Sequence, residues 1–386
     1  MPITTYTLPL ARPGPLDPPP AYAELRATPV AEVATPDGRR AWLVTSHDAV
    51  AAVLTDPRFG VAPPGGAHPD NHTLFQDGEA HARLRRLVSG AFTPGRVAAM
   101  RPRVEQRAGD LVAAMASAGP PADLVDAIAA PLSIGVIGEL LGVPPDQHER
   151  LRRWADSALL PDPSAAATGQ EWAALLAFAA DLVAAKRANP GDDLLDSLIA
   201  ARDEDDGRLS ADELVAMVTT LVSAGYLSAA NAISVGAIQL ATLGLLPELA
   251  ARPERVEETV EELLRRQSGS TGEPMPRWAH SDAELFGARI RAGDTVLVRL
   301  EAANRDPARF PDPDRFVRDR RPNRHLAFGR GPHHCVGAAL ARLELAAAFR
   351  ALSRELPGLR LAGPVEEVPW VYGLVDSGPA ALQVTW

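Results

Sequence analysis

The sequence predicts a mainly α-helical fold with a small β portion, built as one compact unit over residues 1–386. Three observations predict it. Most of the chain is Ala/Leu-rich with apolar residues at helical spacing, strand-like runs are few and short, and neither a repeat nor a long linker divides the chain. The apolar fraction of 46% is ample for a large core, which excludes wholesale disorder. A single cysteine excludes an intramolecular disulfide or a multi-thiolate zinc site, and it fits a reducing compartment. A net charge of -10 argues against duty on nucleic-acid phosphates. Lys186 is the only lysine, a sign of GC-rich codon usage.

The elements follow in order. The proline-rich residues from Met1 to Pro20 lack an apolar run and read as an extended lead-in, with no secretory signal. A short strand is expected from Ala41 to Thr45 and a helix near Asp48 to Leu54. Gly60 to Gly78 is rich in Pro, Gly, His and Asn and reads as a loop. Helical spacing begins at His81 and continues through Val97–Ser117, Asp123–Leu141, Asp146–Ala158, Glu171–Ala188 and Leu194–Arg202. Ser210-Ala-Asp-Glu213 is a capping box, and it starts a long helix whose residues from Leu214 to Pro247 carry no charge. That stretch is long enough to cross a bilayer. Its Thr219, Thr220, Ser223, Ser228, Asn231, Ser234 and Gln239, with acids instead of arginines at its flanks, favour a helix buried in a globular protein over a membrane span. Another helix is expected from Pro253 to Arg266, then strands at Arg289–Ile290 and Thr295–Arg299. An irregular segment, Asp306 to Asn323, leads to a glycine-rich loop and a last long helix, Val336 to Arg354.

The chemistry concentrates in Phe328-Gly-Arg-Gly-Pro-His-His-Cys-Val-Gly337. Glycines let this loop approach a flat ligand closely, and the helix that follows offers its positive dipole end to a thiolate at Cys335. Such a thiolate can serve as an axial ligand to iron. A lone cysteine is otherwise most often a buried, inert residue. Zinc held by His333, His334 and Cys335 is disfavoured, because adjacent residues do not readily make a tetrahedral set.

Through Phe328, Gly331, Cys335 and Gly337 the segment resembles the F-x-x-G-x-x-x-C-x-G signature of the cytochrome P450 family, and the likeness extends over most of the chain, closest to soluble actinobacterial members. The resemblance implies a single-domain P450 fold, a triangular helical prism with the long central helix over the haem. It implies haem b as cofactor, with Cys335 as the iron ligand. Similar proteins carry an E-x-x-R pair, here Glu262 and Arg265 in Val-Glu-Glu-Leu-Leu-Arg, joined to an arginine of the following irregular segment, here Arg315 in Pro-Asp-Arg-Phe. Residues three apart share a helix face, so the first two can pair. The haem propionates need donors; His81 and Arg85, four apart on one face, and Arg277 and His333 match the donors of similar proteins. His325 and His334 are weaker candidates that can simply satisfy local backbone groups.

The sequence departs from the family on the central helix. Family members usually carry Ala-Gly-x-(Asp/Glu)-Thr there, an acid–alcohol pair that organises proton delivery for oxygen activation. This chain reads Ala224-Gly-Tyr-Leu-Ser228: Leu227 cannot titrate, Ser228 keeps a hydroxyl, and Asn231 one turn on can hydrogen-bond but supplies no proton at neutral pH. Gly225 is expected to let dioxygen and the helix backbone come close over the iron. Three explanations stay open: water and Ser228 suffice for hydroxylation, the substrate supplies the relay, or the product is a ring closure or coupling without oxygen insertion. Gly60 to Gly78 corresponds to the pocket roof of similar proteins and is short, which suits a peptide, macrocycle or carrier-borne substrate. Tyr226, Leu227, Trp278 and Tyr372 are pocket candidates, with simple core packing the alternative for the aromatic rings.

The resemblance therefore implies a cytoplasmic haem-thiolate monooxygenase of specialised metabolism. With no flavin or nicotinamide motif in the chain, electrons are expected from a separate ferredoxin and ferredoxin reductase, docked near Arg83, Arg86 and Arg342. Neither nucleic acid nor membrane is expected as a partner. The alternatives are oxidative cross-linking of aromatic side chains in a peptide or carrier-bound substrate, and a non-catalytic haem-binding protein.

Overall fold

The computed structural model describes residues 6–65, 75–159, 165–203, 209–271, 275–372 and 377–386. Among the described residues helices dominate, with one six-stranded sheet and three smaller ones, as the apolar periodicity predicts. The described residues fall into two compact units, one from residues 6–65, 75–77 and 258–335, the other from 78–257 and 336–386.

The first unit holds the main sheet. Its strands run in the order Tyr6–Thr7, Val30–Ala34, Arg40–Val44, Thr295–Val298, Arg277–Ala279 and Phe59–Gly60. The expected strand near Ala41 is found, paired in parallel with Thr295–Val298 through Trp42↔Val296 and Val44↔Val298. Arg277 pairs with Val296 and Trp278 with Thr295 in antiparallel register. Val44, Val50, Val53, Phe59, Val296 and Leu326 form a core between this sheet and the helix His47–Thr55. Burying such side chains contributes about 1.5–3 kcal/mol each before the entropy of ordering is set against it. The strands at residues 6–7, 30–34 and 277–279 were not expected, because runs this short carry no clear period of two.

In the second unit the capping box forms as expected: Ser210 Oγ accepts from the Glu213 amide, and the Glu213 carboxylate accepts from the Ser210 amide. It starts the helix Ala211–Thr242, called the central helix below. The uncharged run does not stay helical to Pro247; Gly244, at φ 63°, breaks it before a short helix Leu246–Ala251. The central helix is the one described segment long and apolar enough to cross a membrane, yet 72% of its apolar window is buried inside the protein. Its packing depends on glycines. A Cβ at Gly236 would overlap the ring of Phe349 from the last long helix, Ala338–Glu355. A Cβ at Gly225 would lie 3.1 Å from Ile137 Cδ1, on the helix Ala130–Leu140.

Other boundaries shift modestly. The helix expected over Asp123–Leu141 is a short strand Ala122–Asp123, a π-helical turn Val125–Ala129 and then Ala130–Leu140. The helix at His81 begins at Gly78, and that at Glu171 begins at Ala165. Much of the short roof expected over Gly60 to Gly78, residues 66–74, lies outside the described residues.

Candidate active site

The cysteine loop is built inside the first unit. Its backbone folds back so that the Cys335 amide donates to the Phe328 carbonyl at 2.9 Å, and the His334 amide donates to Gly331. Gly329 and Gly331 have φ of 67° and 76°, the left-handed region where a side chain is strained. Gly331 has a second reason to be glycine: a Cβ there would overlap the carbonyl oxygen of Leu54. Gly337, at φ -82°, stands just ahead of the last long helix. Cys335 is exposed and in no disulfide. Phe328 is half-buried beside His325, whose Nε2 lies 3.2 Å from Glu261.

Behind the loop runs a chain of buried polar groups. Glu262 and Arg265, with fully buried side chains, form a bidentate pair at 2.8 and 2.9 Å. Arg265 also donates to the Asn304 carbonyl at 2.7 Å; the Asn304 amide donates to Ser268, and its Oδ1 accepts from the Leu326 amide at 2.7 Å. The ion pair is thereby linked, through Asn304, to the irregular segment entering the cysteine loop. Buried groups tied on every side in this way hold one geometry.

The third member of that cluster is Arg320, not Arg315. Arg315 is exposed, and its backbone amide bonds to Asp312 at a turn where Asp312 has φ 47°. The turn sends Arg315 outward and brings Arg320 back, with its side chain 6% exposed and Nε 3.3 Å from Glu262 Oε1. Arg320 also donates to the carbonyls of Pro311, Asp312 and Arg315. The Val317 amide and Asn323 complete the shell around Glu262.

Arg277 is 5% exposed. Its one hydrogen bond among the described residues goes to the Met275 carbonyl, and burial pushes its pKa down, opposed by the charge of Asp77. A buried guanidinium held by a lone carbonyl suits an anionic ligand. His333 Nε2 meets Asp77 Oδ1 at 3.1 Å. With an exposed thiol on a glycine-shaped loop and these cations in the same unit, the residues present fit a thiolate-ligated haem with acidic side groups. His81, buried, and Arg85, half-buried, share a face of the helix Gly78–Ser89 in the second unit.

On the central helix, Ala224 and Ser228 are exposed while their neighbours are packed, so residues 224, 228 and 231 mark its open face. Ser228 donates its hydroxyl to the Ala224 carbonyl at 2.6 Å. Asn231 is half-buried and pressed against Gly378, where a Cβ would overlap its amide. Gly225 packs closely against Ile137. One pocket expectation needs correction. Tyr226, 1% exposed, is core: its hydroxyl donates to Asp156 at 2.6 Å, and burial raises the pKa of both groups. Leu227 is buried as well. Tyr226 therefore lies off the open face, whereas Leu227 borders it beside Asn231. Trp278 is half-buried in its strand, and Tyr372 is 60% exposed.

The docking arginines also divide. Arg83 is paired with Glu213 and Arg342 is half-buried with a bond to Ala338, whereas Arg86 is exposed. Asp77, Asn304 and Arg320 were missed; each acts across long chain separations, and no local spacing marks them.

A lone thiol on a rigid glycine loop, braced by a buried Glu–Arg cluster and accompanied by buried cations, defines the haem-thiolate class. Comparison with known proteins gives the family. The cytochrome P450 family model matches residues 254–355. The mycinamicin IV hydroxylase/epoxidase of Micromonospora griseorubida is 43% identical over 377 residues, covering 95% of this chain and 94% of that protein. The nocardicin C N-oxygenase of Nocardia uniformis subsp. tsuyamanensis is 40% identical, with 99% of each covered. The crystal structure of the putative thioether synthase SgvP of griseoviridin tailoring superposes with a TM-score of 0.91 at 38% identity, covering 99% of this chain and 100% of that one. The chain belongs to the cytochrome P450 family: it has the P450 fold, its cofactor is haem b, and it is an oxidoreductase of the monooxygenase type.

Proposed function

We propose that this P450, acting as one catalytic domain in the cytoplasm, oxidises a natural-product intermediate of specialised metabolism with electrons from a separate ferredoxin and ferredoxin reductase. The observation that carries the reading is the braced cysteine loop, in which Cys335 is exposed at the end of a backbone tied through Leu326 and Asn304 to the buried Glu262–Arg265 pair. In this reading Cys335 ligates the iron as a thiolate, and His81, Arg85, Arg277 and His333 hold the propionates. Phe328 and Gly337 frame the loop. When bound, a thiolate-ligated haem b supplies the oxidising power needed to break an unactivated bond with dioxygen. The chain's own part is to position substrate and to move protons. Ser228, bound to the Ala224 carbonyl, keeps oxygen lone pairs for a water or substrate hydroxyl, and its proton moves only when that bond is exchanged. Leu227 contributes no proton. Asn231 orients polar groups beside it, and Trp278 and Tyr372 remain candidates for substrate contact. The names of relatives, a hydroxylase/epoxidase and an N-oxygenase of antibiotics, support tailoring as the setting.

The test has two parts. Cys335→Ala should abolish the strongly red-shifted band of the reduced carbon monoxide complex; survival of that band would overturn thiolate ligation. Reduced protein supplied with ferredoxin, its reductase and candidate substrates should consume oxygen and form product, whereas a haem-binding protein without catalytic activity would do neither.

The acid-free open face favours a second reading, oxidative ring closure or cross-linking of aromatic side chains in a peptide or carrier-bound substrate. The structural relative named as a putative thioether synthase is consistent with ring closure. Labelled dioxygen separates the two: label in the product selects insertion, and a product two hydrogens lighter without label selects coupling.

A further inference from the structure

Asp77 is a carboxylate for which the reaction outlined above gives no role. Its Oδ1 accepts from the Val61 amide and from His333 Nε2, both at 3.1 Å, and its Oδ2 accepts from the Ala62 amide at 2.8 Å. These bonds outweigh the upward push of burial and hold its carboxyl down at about 2. Gly60 backs the same group so closely that a Cβ there would overlap Oδ2. His280 braces the segment further, with its Nε2 2.9 Å from the Ala62 carbonyl.

The direction of control follows from this geometry. Two backbone amides and a glycine wall fix the carboxylate, so the imidazole adapts to it and not the reverse. An ionised carboxylate only accepts hydrogen bonds, so Nε2 of His333 must carry the proton that joins them. That contact sets the ring orientation of a side chain two residues before Cys335. Carboxylates that orient metal-bound histidines work in this way, one layer out from the ligand they serve.

We propose that Asp77 is a positioning residue for cofactor binding: anchored to the Val61 and Ala62 amides, it sets the orientation of His333 so that this side chain is ready for the haem. The inference rests on the reading of His333 as a haem partner, and the experiment separates the two.

Haem release from the ferric holoprotein into excess apomyoglobin is followed by absorbance for the wild type, His333→Asn, Asp77→Ala and the double variant. His333→Asn and Asp77→Ala should each speed release on the order of tenfold, by analogy with the loss of a carboxylate behind a histidine. The double variant should be no more than about twofold faster than the faster single one, because both remove the same interaction. Asp77→Asn, which keeps an acceptor oxygen, should fall between the wild type and Asp77→Ala. Gly60→Ala, which displaces the carboxylate without touching His333, should also speed release. Unchanged release from His333→Asn would remove His333 from the cofactor site. Faster release from His333→Asn, with wild-type release from Asp77→Ala and Gly60→Ala or with multiplying effects in the double variant, would overturn the positioning role alone. Should Asp77→Ala fail to fold, Asp77→Asn and Gly60→Ala decide the question.

Discussion

Replacing Arg320 with methionine keeps the length and apolar stem of the side chain but removes its charge and its donors. Glu262 is fully buried and would lose one of its two cations, keeping Arg265, the Val317 amide and Asn323. Removing one partner of a buried ion pair costs about 3–5 kcal/mol when the other charge is left uncompensated. Because the Arg265 contact is bidentate and survives, the lower end applies. The carbonyls of Pro311, Asp312 and Arg315 that Arg320 serves lie near the surface, where water replaces part of what is lost. An expected loss of about 3 kcal/mol is roughly a hundredfold in the folding equilibrium. Arg315→Met removes an exposed side chain and should change stability by no more than about 0.5 kcal/mol. Urea unfolding of the two holoproteins, followed by tryptophan fluorescence, compares them directly: Arg320→Met should lower the midpoint markedly and Arg315→Met should not. Equal midpoints, or a larger loss from Arg315→Met, would show that the buried cluster does not stabilise the fold as argued.

Gly236→Ala should destabilise by about 1–3 kcal/mol through overlap with Phe349, and Phe349→Leu in the same chain should recover much of it; thermal melts of the single and double variants check the coupling. Gly331→Ala combines a left-handed backbone with overlap at Leu54, so the purified protein should lose most of its thiolate-type carbon monoxide band while Gly358→Ala, in open space, keeps it. Glu344 is fully buried and its pKa is raised well above the usual range by burial, so the folded state keeps a proton that the unfolded state releases. Stability should therefore fall as pH rises above the ordinary carboxyl range, and Glu344→Gln should flatten that fall in denaturation curves taken from pH 5 to 8. Ser228→Ala should lower turnover with coupled oxygen consumption less than loss of the corresponding threonine does in P450s that keep the helix acid; complete loss of activity would mean that Ser228 alone carries the relay.

The elements of the chain were legible where their signals are local. Ser210 and Glu213 lie three residues apart, and Glu262 and Arg265 share a helix turn, so each pair forms wherever its helix forms. The loop from Phe328 to Cys335 was legible for the same reason: its glycines dictate the backbone and its cysteine dictates the chemistry. The strands at residues 6–7, 30–34 and 277–279 were not, because a run of two to five residues gains its stability from partners far along the chain.

What the sequence alone determined was the helix-rich class, the central helix with its missing acid, and the candidate thiolate. Only the tertiary structure decided that Arg320 and not Arg315 meets Glu262, that Tyr226 faces Asp156 in the core, and that Asp77 holds His333. The physical reason is separation: a motif fixes geometry over a few bonds, whereas these contacts join groups tens to hundreds of residues apart, and their directions depend on the path of loops whose turns no short pattern records.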